Sequence, residues 1–224
     1  MSRNDRPTLK FPLPIPSAVL VLAAVLLLAA PPARAAMETY TIDPEHTNVG
    51  FRISHLVFSK VSGRFDKFEG TIALDPSDLT KGSVEVSIDT ASIDTNEPAR
   101  DKHLRSDAFF DVEKFPKMTF NSARVRKVAP EKLRVEGTLT IRGVSKPVTL
   151  DVDVLGFGPD PYGGHRAGFE ARTRINRQDY GVSWNDVVEG GGVLVGNDVD
   201  IILNVEAVQQ KPPQPAAADK KKSG

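Results

Sequence analysis

The chain has 224 residues, with 29 Lys plus Arg against 29 Asp plus Glu, 40% hydrophobic residues and no cysteine, a size that suits one globular domain with extensions. The missing cysteine excludes a disulfide framework, a thiolate metal site, an iron–sulfur cluster, a cysteine nucleophile and lipid attachment to an N-terminal cysteine. The zero net charge is an average, because residues 37–210 carry 21 basic and 27 acidic groups, a mildly acidic body that does not suit a nucleic-acid backbone.

Residues 1–36 begin with Arg3, Arg6 and Lys10, continue with thirteen apolar residues from Ala18 to Ala30, and end in PPARAA. Thirteen helical residues rise only about 20 Å, short of the roughly 30 Å hydrocarbon core. Ala33 and Ala35 around Arg34 supply the A-x-A pattern, so the segment reads as a secretory signal peptide cleaved after Ala35 or Ala36. The mature protein is then exported, periplasmic in a bacterial cell, with no stable membrane insertion.

From Met37 to Val208 the dominant signal has a period of two. Val49, Phe51 and Ile53 alternate with Gly50, Arg52 and Ser54, and Val84, Val86 and Ile88 alternate with Glu85 and Ser87. Val135, Leu139 and Ile141 share a parity, as do Val148, Leu150, Val152 and Val154, and Val199, Ile201, Leu203 and Val205 close the set. These are half-buried antiparallel strands. Segments at 70–74, 118–128 and 168–175 bring the expectation to about eight, with turns at Asp75-Pro76-Ser77, Ala129-Pro130-Glu131 and Gly163-Gly164. Between Thr95 and Pro116 the alternation stops. Thr95 or Asn96 as N-cap with Pro98 in the first turn, then Ser106 before Asp107, predict two short helices capping one end of the sheet. Gly190-Gly191-Gly192 lacks the following Lys and hydroxyl residue of a phosphate loop and reads as a hairpin turn. The last stretch, residues 209–224, is built of Pro, Ala, Gln and Lys and reads as a disordered tail, its Lys220–Lys222 run a solvated end. The expected division is therefore 1–36 signal peptide, 37–208 domain and 209–224 tail. The fold class is all-β, with closure into a barrel favoured over a sandwich because closure removes exposed strand edges.

Several ordered motifs resemble one family. Tyr40-Thr41-Ile42-Asp43-Pro44-Glu45-His46-Thr47, Val49-x-Phe51, His55, Gly63-x-Phe65 and Phe68-x-Gly70 are followed by Ile88 to Thr95 (IDTASIDT), Arg100-Asp101-x-His103-Leu104 and Phe109-Phe110-Asp111-Val112. Then come Phe115-Pro116-x-Met118-Thr119-Phe120, Gly137-x-Leu139-Thr140-Ile141-x-Gly143-Val144-x-Lys146-Pro147-Val148 and Ile175-Asn176-Arg177-x-Asp179-Tyr180-Gly181-Val182-x-Trp184. Over residues 39–207 the chain is similar to the YceI family of exported lipid-binding proteins, departing from it at Thr47, where serine is common, and at Tyr180, where phenylalanine is common. The resemblance implies a lipocalin-like antiparallel β-barrel whose long apolar cavity holds a polyisoprenoid chain bearing a quinone-like or related head group, for transport, storage or stress protection. It implies no catalysis and no cofactor beyond the bound isoprenoid lipid. The alternative is an enzyme or electron-transfer accessory acting on a bound isoprenoid quinone. The expected partner is the lipid or quinone, not nucleic acid, with a homodimer left open.

Beyond Met37 there are ten Phe against three Tyr and one Trp, so most aromatic surface carries no hydrogen-bonding handle. On residue types alone a filled core is the ordinary reading, and the resemblance turns it to a hollow one. Phe51, His55, Phe65, Phe109, Phe120, Phe169 and Trp184 are the expected cavity residues. His46, Arg177 and Asp179 are expected as polar residues at the head group or rim, with Arg177 and Asp179 paired on one strand face. The four histidines show no metal-ligand spacing, and no G-x-S-x-G elbow is present, so neither a metal site nor a hydrolase is expected.

Overall fold

The computed structural model describes residues 37–56, 58–188 and 192–210. The signal-peptide segment, the Gly190–Gly191 part of the expected hairpin turn and residues 211–224 of the expected tail lie outside the described residues. The strands are β1 (Glu38–Ile42), β2 (Asn48–His55), β3 (Ser59–Phe65), β4 (Phe68–Leu74), β5 (Ser83–Asp89), β6 (Ile93–Asp94), β7 (Lys117–Ala129), β8 (Lys132–Ile141), β9 (Val144–Pro159) and β10 (His165–Asn176). The short pair β11 (Val187–Val188) and β12 (Gly192–Val193) precedes β13 (Val195–Gln209), and helix α1 (Pro98–Arg105) lies between β6 and β7.

These elements make eight long antiparallel strands, three of them bent. β1 and β2 pair with β4 and β3 as one hairpin whose register moves only slightly across the bend, from Tyr40 opposite Ile72 to Val49 opposite Phe65. β5 and β6 continue the same way against β4 and β3. The sheet then runs through β7, β8, β9, β10 and β13, and β13 pairs with both β2 and β1, so the barrel closes. Closure satisfies the edge N–H and C=O groups that an open sheet would present. The alternation predicted from sequence sets the two faces: in β8, Leu133, Val135, Leu139 and Ile141 are buried, while Lys132, Arg134 and Thr138 face water.

Two expectations need correction. Of the two helices expected between Thr95 and Pro116 one forms, and its N-cap is Glu97 rather than Thr95 or Asn96, the Glu97 carboxylate accepting from the N–H groups of Ala99 and Arg100. The Ser106 start yields tight turns instead, closed by bonds from Phe109 N–H and Asp111 N–H to the Ser106 carbonyl. At the C-terminus β13 runs through Gln209, and the Gln210 N–H still donates to Thr39, so the barrel extends two residues into the stretch read as tail.

The bend between β1 and β2 interrupts the ladder beside Glu206 of β13, and side chains repair it. The Thr47 hydroxyl accepts from Glu206 N–H at 3.0 Å and donates to its carbonyl at 3.1 Å. Thr47 thus keeps the hydroxyl that serine would supply there. Outside the barrel the Arg166 guanidinium clasps the same joint, reaching Asp43 at 2.7 Å, Asp160 at 3.2 Å and Glu206. Burial would raise the Asp43 carboxyl, but hydrogen bonds from Arg166, His46 and Glu45 N–H outweigh it and hold the group at about 2. A depressed carboxyl contributes stability that is fully present above its unfolded value of about 3.9 and is lost as pH falls toward the folded one. We therefore expect the urea midpoint to fall between pH 4 and pH 2, and Arg166→Gln to lower the midpoint at pH 7 and flatten that acid limb. An acid limb unchanged by the substitution would show that the clasp does not hold Asp43.

Candidate functional site

The inward side chains of the long strands do not meet. They surround a cavity of about 560 Å³ lined by residues of β1 to β10 and β13, within the range of small-molecule sites. Two contacts show how the axis stays open. Phe51 of β2 stands opposite Gly63 of β3, and a Cβ built on Gly63 would lie 2.4 Å from the Phe51 ring. Phe120 of β7 likewise covers Gly137 of β8, where a Cβ would meet its ring at 2.6 Å. Each ring lies against a neighbouring strand where glycine leaves room, a pairing that also shields the glycine backbone.

Helix α1 lies at one end of this cavity, which it lines with Ala99, Arg100, His103 and Leu104. It is strapped to the barrel by charge-assisted bonds. Buried Asp101 accepts from the N–H and hydroxyl of Thr95 at 2.9 and 2.5 Å. Arg100 returns to the Thr95 hydroxyl and carbonyl, each at 2.7 Å, and Arg105 reaches the carbonyls of Ala91 and Ile93 at 2.7 and 2.6 Å. His103, Phe109 and Trp184 form an aromatic cluster at this end, His103 standing edge-on to the other two at 5.0 and 4.8 Å between centroids.

The strand β10 stops at Asn176, whose side chain accepts from Gln178 N–H and starts a single 3-10 turn, Arg177–Tyr180, ended by Gly181 at φ 73°. Only glycine adopts that left-handed backbone without cost. Arg177 is 5% exposed, and its guanidinium donates to the carbonyls of Gly196 (2.8 Å), Val182 (2.7 Å), Trp184 (2.8 Å) and Val195 (3.4 Å). It therefore pins Val182, Trp184, Val195 and Gly196 to the barrel end. Burial pushes its pKa down from the usual arginine range.

All seven residues expected at the cavity, Phe51, His55, Phe65, Phe109, Phe120, Phe169 and Trp184, line it, and Arg177 does too. The expected Arg177–Asp179 pair does not form. A turn replaces the strand that would have put both on one face, so Asp179 is exposed while Arg177 points to backbone carbonyls. His46 is not at the cavity either; it is exposed in the turn between β1 and β2, 2.9 Å from Asp43. With Asp43 and Glu206 it brings potential ligand atoms within 4.8 Å of one another, but Arg166 bonds both carboxylates and stands where a cation would. Arg100, His103 and Tyr180 line the cavity without having been singled out. Their signals were the i, i+3 spacing of Arg100 and His103 on a predicted helix and the glycine directly after Tyr180.

A YceI-like domain model matches residues 40–207. The chain belongs to the YceI family. It is 45% identical over 174 residues to Protein YceI of Salmonella newport, covering 77% of this chain and 87% of that relative. Among solved structures, the YceI protein of Campylobacter jejuni is 34% identical over 76% of this chain and 96% of its own, with a TM-score of 0.60. A polyisoprenoid binding domain from Saccharophagus degradans, implicated in plant cell wall breakdown, shares the fold at 17% identity and a TM-score of 0.58 over 76% of this chain and 98% of that one. The closed eight-strand barrel is the YceI architecture.

The glycine contacts give a test of the hollow wall. Gly63→Ala is expected to push the Phe51 ring off β3, with a loss of roughly 1–3 kcal/mol in urea unfolding and reduced uptake of an apolar dye. Unchanged stability and uptake would mean that Phe51 does not depend on this glycine for its place.

Proposed function

We propose that this YceI-family chain is an exported, non-catalytic binding protein that holds a polyisoprenoid chain inside its barrel for transport, storage or protection under stress. The observation that carries the reading is the wall of the cavity. Between the α1 end and the far end its lining is aliphatic and aromatic, from Phe51, Phe65 and Phe120 through Leu133, Val135 and Leu150 to Phe169. Such a wall gives a polar substrate nothing to bond, whereas each methylene taken from water is worth about 0.8 kcal/mol, so a long hydrocarbon outweighs its ordering cost. The shape is equally suited to a slender guest. β13 has 15 residues, about 50 Å of strand at 3.3 Å per residue, and the usual tilt of roughly 40° still leaves an elongated barrel. The polyisoprenoid named for the Saccharophagus degradans domain and the family membership support the same guest.

Export rests on the A-x-A signal pattern before Met37. The bound prenyl lipid is the partner in this reading, and no resident cofactor is needed.

Protein purified from its native host, extracted with organic solvent and analysed by mass spectrometry should yield a prenyl lipid in stoichiometric amount, and N-terminal sequencing of the same material should begin at Ala36 or Met37. Repeated recovery of folded protein without lipid, or with a hydrophilic guest, would contradict the binding role. Retention of residues 1–35 would contradict cleavage.

A further inference from the structure

The barrel wall is interrupted at the end opposite α1. Cross-strand partners share a face, and Phe157 of β9 stands opposite Ala167 of β10, itself opposite Ala207 of β13, both of them buried. Phe157 therefore belongs to the inward row, and its ring stands edge-on to that of Phe169, a cavity residue, at 5.7 Å between centroids. Yet Phe157 is 39% exposed. An inward side chain of a closed barrel meets water only where the wall opens.

The opening has a cause in the register. β8 begins at Lys132, opposite Asp153, and the Val154 N–H, donating to the Glu131 carbonyl, makes the last backbone hydrogen bond on that side. Over residues 155–159 β9 has β10 alone as a ladder partner among the described residues. Beside this stretch a cleft of about 320 Å³ is bounded by β9, the 76–79 turn and Pro130. Leu79 lines both the cleft and the main cavity and so stands at the boundary of the two.

Apolar side chains gather at this end. Of the six exposed large apolar residues among the described ones, Met37, Val128, Leu155, Phe157 and Tyr162 lie here, and Phe58 alone lies at the α1 end. Nearby carboxylates are engaged, Asp75 and Asp78 by Lys81, Asp153 by Lys132 and Asp160 by Arg166. Lys127 and Glu131 line the cleft with opposite charges, so the rim is close to neutral. Scattered exposed apolar residues are ordinary, but a set of them at one end, continuous with an apolar cavity, marks a contact surface.

We propose that this end is the mouth of the barrel and that it docks on a lipid bilayer, with Val128, Leu155 and Tyr162 entering the acyl boundary and the guest passing Leu79. The inference rests on the reading of the barrel as a prenyl-chain binder, because a long hydrocarbon reaches the cavity from a lipid phase rather than from water. The continuity of cleft and cavity selects the occupant: a bilayer supplies both a surface for the apolar rim and a guest for the lumen. Side chains set about 5–10 Å into the headgroup boundary give reversible attachment, and the near-neutral rim leaves the apolar contacts to carry it.

Lipid-stripped protein from the native host is mixed with unilamellar vesicles of phosphatidylethanolamine and phosphatidylglycerol in equal parts and floated on a sucrose gradient. It is expected to float with the vesicles, and Leu155→Ser combined with Tyr162→Ser to lower the partition coefficient at least about ten-fold, the effect of withdrawing two apolar side chains from the contact. Phe58→Ser, at the other end, is expected to leave partitioning unchanged. Transfer of radiolabelled geranylgeraniol from the vesicles into the protein should slow in parallel in the double variant, while its affinity when delivered from detergent stays the same. Absence of flotation, an equal loss with Phe58→Ser, or undiminished transfer in the double variant would overturn the docking mouth while leaving the apolar binding role intact. Self-association abolished by the double variant, without flotation, would assign this face to a second copy of the chain and overturn the bilayer contact as well. Failure of geranylgeraniol to bind folded protein from detergent would overturn the binding role, and the mouth with it.

Discussion

Everything in this structure depends on one seam, along which β13 meets both halves of the bent first strand: Val199, Ile201 and Leu203 stand opposite Ile53, Phe51 and Val49, and Ala207, Val208 and Gln209 opposite Ile42, Thr41 and Tyr40. Without this seam the sheet is open, its edges unpaired and its inward face exposed to water. The seam is interrupted where the first long strand bends between β1 and β2. The molecule therefore reinforces the joint twice, with the Thr47 hydroxyl standing in for a missing ladder partner and with Arg166 drawing Asp43, Asp160 and Glu206 together on the outside. Tyr40 and Ala207, buried at 1% and 0% exposure, pack the seam from within.

A closed wall explains the second feature, its hollow interior. A barrel of eight strands is just wide enough to be filled by side chains or to hold a slender guest, and small local choices decide between the two. Glycine at 63 and 137 lets Phe51 and Phe120 lie against the wall. A lumen of about 560 Å³ with an apolar lining suits the apolar guest proposed above, and binding of such a guest would be linked to folding.

Much of this was legible in the residues. Each of the eight long strands coincides with a segment read as strand, because a strand buried on one face repeats every two residues, whereas the expectation that Phe51, Phe120 and Phe169 line a cavity came from the family resemblance. The bends were not legible: residues 43–47 and 66–67 turn the chain without changing which strand it pairs with, so no periodicity marks them. The Arg177–Asp179 expectation failed because it extended β10 past Asn176, although Asn176 and Gly181 bracket a tight turn. The head-group or rim expectation for His46 failed because Asp43-Pro44-Glu45-His46 forms the turn between β1 and β2, which leaves the imidazole exposed outside the wall. The polar residues at the α1 end were legible only in part. Arg177 was expected among them, whereas Arg100, His103 and Tyr180 come from separate segments that the closed topology brings together with it.

The central claim is that the barrel encloses an apolar guest along its axis. The most direct measurement is a crystal structure of protein purified from its native host. The account predicts continuous density for a methyl-branched prenyl chain running from beside Trp184 to the Leu74 end, with Phe51 and Phe120 still against β3 and β8. Side chains from opposite walls touching across the lumen, leaving no channel between them, would contradict it.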